Sequence, residues 1–77
     1  MPDDALDVWV VYQSPRDYPG RWVVRRQRAR RDGTVVPDPK PLIVCDSLDV
    51  ARSVLPRGLF RLPRFEQDEP QIVEAWI

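Results

Sequence analysis

The sequence predicts an α+β fold, a small and mainly antiparallel sheet of 4-5 strands with one short helix packed on one face, in the order β-β-(β)-β-α-β-β. Three observations predict it. Short runs of β-branched and aromatic residues recur along the chain, nine prolines and three glycines separate them, and only one stretch carries helical spacing. The 77 residues fit one domain, 1–77, and a 43 % apolar fraction is enough for a single core. At this length burial barely exceeds the entropy of ordering the chain, so a homodimer is an expected source of further stability.

Residues 1–7 are polar and Asp-rich and are expected to fray. Val8-Trp9-Val10-Val11-Tyr12 follows as a strand with Val8, Val10 and Tyr12 on one face and Trp9 with Val11 on the other. Both faces are apolar, which suits a central position. Ser14-Pro15-Arg16-Asp17-Tyr18-Pro19-Gly20 holds two prolines and a glycine and cannot continue a ladder, so it connects a hairpin whose second strand is Arg21 to Arg28. Beyond Val24 the apolar pattern stops, and the strand is expected to project into water.

Asp32-Gly33 is a hairpin signal of the type I′ kind, which returns Thr34-Val35-Val36 onto Arg28-Ala29-Arg30. Pro37, Pro39 and Pro41 end that strand and form a stiff, extended connector. Leu42 to Cys45 reads as another strand, and Asp46 or Ser47 caps the helix, where Leu48, Ala51, Val54 and Leu55 form one apolar stripe while Asp49, Arg52 and Ser53 face out. Pro56 and Gly58 stop it after two to three turns. Leu59-Phe60-Arg61-Leu62 is a short strand, 64–70 a polar loop, and Gln71 to Ile77 the last strand, with Ile72, Glu74 and Trp76 sharing a face.

Twelve basic and twelve acidic residues cancel, so no global field draws the chain to nucleic acid or to an anionic membrane. The charges are nevertheless segregated. Residues 21–40 hold six arginines and Lys40 against Asp32 and Asp38, whereas the first twenty residues carry Arg16 against four aspartates. Such blocks can pair within the fold.

Most chemistries are disfavoured by composition. Histidine is absent and Cys45 is the only cysteine, which removes the Ser-His and Cys-His arrangements, the usual zinc ligand sets and any intramolecular disulfide. Asp46 with Asp49, and Glu66, Asp68 and Glu69, are explained by helix capping and by a solvated loop. Gly20, Gly33 and Gly58 lie too far apart to cradle a phosphate. The reading is therefore non-enzymatic, without cofactor or metal, with no stretch of the roughly 20 apolar residues that cross a bilayer. The expected location is cytoplasmic, with no membrane partner.

Two sets of residues stand out as contact candidates. On a strand Arg26, Arg28 and Arg30 share a face, with Arg25 and Arg31 opposite, a spacing of about 6 to 7 Å that suits successive phosphates, and Trp22 on the same face offers a stacking surface. The same row also reads as a charge-protected edge, or as one side of salt bridges to Glu66, Asp68, Glu69 and Glu74. The second set is a protein interface of Trp9, Val11 and Val23 on a sheet face away from the helix, with Arg16 and Tyr18 displayed on the stiff loop.

The string Val10 to Arg26 around that loop, with Leu55-Pro56-Arg57-Gly58-Leu59 and Ile72-Val73-Glu74-Ala75-Trp76-Ile77, resembles short uncharacterised bacterial and prophage proteins. The resemblance implies no activity. The expectation is a small protein-interaction module, self-associating or binding a protein partner, with nucleic-acid or phosphate-ligand binding through Arg25, Arg26, Arg28, Arg30 and Arg31 as the alternative.

Overall fold

The computed structural model describes residues 6–62 and 70–77, and it places six strands and one helix in the expected order. The strands are β1 (Leu6–Gln13), β2 (Trp22–Ala29), β3 (Val35–Pro37), β4 (Ile43–Cys45), β5 (Arg61–Leu62) and β6 (Ile72–Trp76), with α1 (Leu48–Ser53) between β4 and β5. All pairings are antiparallel, in the order β3-β2-β1-β6-β5, and β4 shares with β3 the outer edge of β2. The α+β expectation holds. β3 and β4 are two halves of one edge, separated where the alternating prolines make the chain loop outward.

Register decides the two faces. Val11 lies opposite Val24 and Trp9 opposite Arg26, while Trp22 and Val24 lie opposite Cys45 and Ile43. The apolar side chains among these form the core with Ala51 of α1, and Leu48, Val54, Leu55 and Trp76 close its margin. Val11, Val23, Val24 and Ala51 are completely buried, and each of the three valines contributes about 1.5 to 3 kcal/mol to folding. Trp9 and Val11 therefore sit beneath the helix, not on the opposite face. The second face carries Val8, Val10 and Tyr12 with Val23, since Tyr12 pairs with Val23.

α1 spans only six residues, too few to persist alone. Its start is fixed by Ser47, whose Oγ accepts from the Val50 N–H at 3.2 Å, and Ala51 is small enough to let the helix approach the sheet. Val54 and Leu55 lie beyond the helix yet complete its stripe. Asp46 does not cap the helix but pairs with Arg21 at 3.0 Å.

Three local expectations are corrected. Leu6 and Asp7 belong to β1, opposite Ala29 and Arg28, because Asp7 gains an ion pair with Arg28. The basic half of β2 runs past the core with Arg26 and Arg28 exposed, and β1 and β3 flank it as far as Ala29. The Asp32-Gly33 turn is not type I′. Among described non-glycine residues only Ser14 has positive φ, so Gly33 alone (φ 90°) is left-handed, after a turn closed by the Gly33 N–H on the Arg30 carbonyl (3.0 Å). Lastly, a bulge pairs Val11 with Glu74 but Tyr12 with Ile72, which breaks the simple alternation expected of β6.

The Ser14–Gly20 loop is ordered by its own sequence. Ser14 adopts φ 54°, its Oγ accepts from the Gly20 N–H at 2.9 Å, and its N–H donates to the Arg21 carbonyl at 2.7 Å. Pro19 and Gly20 (φ 77°) occupy the centre of a turn closed by the Arg21 N–H on the Tyr18 carbonyl, the positions those residue types favour.

Candidate functional site

The alternation of β2 brings Arg26 and Arg28 to the helix side of the sheet, opposite Trp9 and Asp7. With Arg30 they line a hollow of about 250 Å³, closed on its outer side by Val36, Pro37, Asp38 and Pro39. A second hollow of about 340 Å³ adjoins it, lined by Trp9, Arg26, Asp38, Lys40, Pro41 and Leu42. Arg26 and Asp38 border both. The two form one trough that runs from the tip of the β2–β3 hairpin to the margin of the core.

The proline-rich connector shapes this trough. The Asp38 N–H donates to the Arg26 carbonyl at 2.9 Å, and the Asp38 carboxylate accepts from the Lys40 N–H at 3.0 Å, so the chain turns back and places Lys40 beside Arg26. Arg26 stands 4.0 Å from Asp38 and Arg28 stands 3.4 Å from Asp7, with both arginine side chains nearly half exposed. Ion pairs this exposed are worth at most about 1 kcal/mol, so a phosphate can take the place of the carboxylate at little cost.

The remaining arginines of the row are placed elsewhere. Arg25 points to the second face, opposite Val10, where it donates to the Asp17 carboxylate and to the Pro39 carbonyl at 3.3 Å. It clasps the Ser14–Gly20 loop to the connector. Arg31 is exposed at the hairpin turn, where Asp32 accepts from the Thr34 hydroxyl (2.7 Å) and N–H (3.0 Å), bonds that hold its carboxyl below the ordinary range. Trp22 packs against the core, and Trp9 takes its place as the aromatic wall of the trough.

The expected protein interface is dispersed. Val11 and Val23 are fully buried on opposite faces and Trp9 is largely engaged by the core, so these three offer no common surface. Arg16 and Asp17 instead border a cleft of about 560 Å³ with Tyr12, Pro15, Arg25, Pro70 and Gln71. Tyr18 belongs to the same loop and is half-buried, closing its first turn through its N–H on the Pro15 carbonyl at 3.1 Å. The loop acidic residues Glu66, Asp68 and Glu69 lie outside the described residues.

Glu74 is the one buried charge among the described residues, and the sequence reading offers it as a salt-bridge partner of the arginine row, whereas it pairs with Arg52 and Arg61. Arg52 of α1 donates to both its carboxylate oxygens, Trp76 Nε1 donates at 3.2 Å, and Arg61 stands 3.7 Å away. The Arg52 hydrogen bonds hold its carboxyl below the ordinary value of 4.5 against the opposing effect of burial, with Trp76 and the charges of Arg52 and Arg61 adding to the depression. It borders none of these hollows, and its role is to lock the helix to β6. Arg52 therefore does not simply face out. A charged residue between apolar neighbours on a strand was the signal that could have found it.

Cys45 is buried and its Sγ–H donates to the Ser47 carbonyl at 3.4 Å, the setting of a small core residue. Among the described residues no group of three metal-ligating side chains comes together, and no helix is long and apolar enough to cross a membrane. No family model matches the chain, and neither a curated protein nor a solved structure shows significant similarity to it.

Proposed function

We propose that this chain is a non-enzymatic binding module whose working surface is the basic trough, and that it engages a phosphate-bearing ligand or nucleic acid through Arg26, Arg28, Arg30 and Lys40. The observation that carries the reading is the convergence of four cations on adjoining hollows, Arg26 and Arg28 from alternate positions of β2, Arg30 from the residue that follows it and Lys40 from the connector. Arginine suits the task because its planar fork matches phosphate oxygens. Asp38 and Asp7 offset part of the local field through exposed pairs with Arg26 and Arg28, which a phosphate can displace, while Asp17, Asp46 and Glu74 are engaged by Arg25, Arg21 and Arg52. The proposal includes a cytoplasmic location, with which a single buried free thiol is compatible.

The test is binding of a fluorescent nucleic acid as a function of salt. Three neutralised phosphates predict a slope of about −2 in log affinity against log salt, or a loss of about 20-fold between roughly 50 and 200 mM. Arg28→Glu with Arg30→Glu should abolish binding while leaving the thermal transition nearly unchanged. No binding at low salt up to high micromolar protein would remove the reading.

A second reading, contact with a protein or with another copy of the chain, is favoured by one observation. Leu6 and Val35 flank Ala29 in register on the second face, and both side chains are half exposed. In this reading the contact is made by the sheet face, not by the β3 edge. Arg30 donates to Thr34 (2.8 Å) and Asp38 to Arg26 (2.9 Å), an alternation that turns the backbone groups of Val35 and Pro37 outward. Proline has no N–H to offer there, so the edge is blunted against an incoming strand. A sedimentation mass that stays monomeric over the accessible concentration range would remove self-association.

A further inference from the structure

Resting on the phosphate reading, we infer that the trough takes single-stranded nucleic acid, with one unpaired base seated in the hollow of Trp9, Pro41 and Leu42 while Arg26, Arg28 and Arg30 follow the backbone. Two features of the fold separate a single strand from a duplex. The first is width. At the basic end β2 is paired on both sides, Arg28 with Asp7 of β1 and with Val36 of β3, and Ala29 with Leu6 and Val35. Three strands at about 4.8 Å put the outer backbones about 10 Å apart before any side chain is counted. A major groove about 12 Å wide admits a helix or a two-stranded ribbon and the minor groove is about 6 Å wide, so a three-stranded end enters a duplex groove only by deforming it, a cost that a single strand does not impose.

The second feature is the hollow itself. Its volume of about 340 Å³ lies at the lower end of the range of small-ligand sites, about 300 to 1,000 Å³. Its apolar lining is Trp9, Pro41 and Leu42, with Leu42 left 52 % exposed, and its one acidic lining residue is Asp38. Arg26 and Lys40 supply its cationic lining. A phosphate alone has no use for this apolar lining, whereas a base has a π-face to set against Trp9 and carries its own phosphate to Arg26 and Lys40. Arg26 borders both hollows, so a strand seated at Trp9 leads directly onto the row of Arg28 and Arg30.

The experiment compares three labelled probes by fluorescence anisotropy at low salt: a mixed-sequence DNA single strand of about ten nucleotides, the matching duplex, and an abasic strand of the same length. The single strand should bind about tenfold more tightly than the abasic one, the gain expected from stacking of a single base, and more tightly than the duplex. Trp9→Leu, which keeps an apolar side chain against the core, should erase the advantage of the base-bearing strand and leave the abasic affinity as it was. Equal binding of base-bearing and abasic strands, or tighter binding of the duplex, would overturn this inference and leave the phosphate reading standing. Binding of none of the three would overturn both. The comparison of probes on the unaltered protein decides the matter even if Trp9→Leu fails to fold.

Discussion

Glu74→Gln is the substitution with the largest expected effect for the smallest change in shape. The native side chain is 1 % exposed and accepts two hydrogen bonds from Arg52 and one from Trp76, with Arg61 nearby. Removing one partner of a fully buried pair costs about 3 to 5 kcal/mol, but the side chains of Arg52 and Arg61 are 42 % and 57 % exposed and keep much of their hydration. The loss is therefore about 2 to 3 kcal/mol, the value of a charge-assisted hydrogen bond. A chain of this length has a total stability of about 4 to 12 kcal/mol, so the midpoint of thermal unfolding should fall by about 10 to 20 °C. The assay is urea and thermal unfolding followed by tryptophan fluorescence as a function of pH. Because the folded carboxyl titrates below its ordinary 4.5, its contribution is complete above that pH and disappears as the pH falls through the lower, folded value. The wild-type and Glu74→Gln curves should lie apart at neutral pH and converge in acid. Curves that coincide at pH 7, or that stay parallel into acid, would refute the reasoning.

Two further substitutions probe the backbone. Gly33→Ala places a side chain at φ 90° where its Cβ meets nothing within 4 Å, so the cost is conformational alone, about 1 to 2 kcal/mol by urea unfolding, and unchanged stability would show that the turn can flatten. Pro37→Val restores an outward N–H to the free edge of β3 and should make the sedimentation mass rise with concentration. A mass identical to that of the native chain at every concentration would show that proline does not guard this edge.

The strands were legible because they are local. Val8 to Tyr12 and Trp22 to Val24 carry β-branched and aromatic side chains between prolines and glycines, and no helix could accommodate both pattern and length. The cap at Ser47 and the stripe through Ala51 were equally local, as was the alternation that lines Arg26, Arg28 and Arg30 on one side. What failed were statements about which face meets which element. Trp9 and Val11 were expected on a bare face because an apolar strand does not say on which side the helix will land, and hairpin register alone placed Val23 on the other side. The type I′ expectation failed for a similar reason, since Asp-Gly also fits a turn in which only the glycine is left-handed.

The chain by itself determined the element order, the single helix, the absence of histidine and the clustering of arginine, because each depends on residue type and on neighbours a few positions away. Only the tertiary structure decided that the connector folds Lys40 back beside Arg26, that Trp9 and not Trp22 borders the basic row, and that Glu74 is buried against Arg52. Those outcomes depend on pairings between residues 14 to 22 positions apart, which are settled by the register of β1, β2 and β6 and by the one side on which a short apolar helix can bury its stripe.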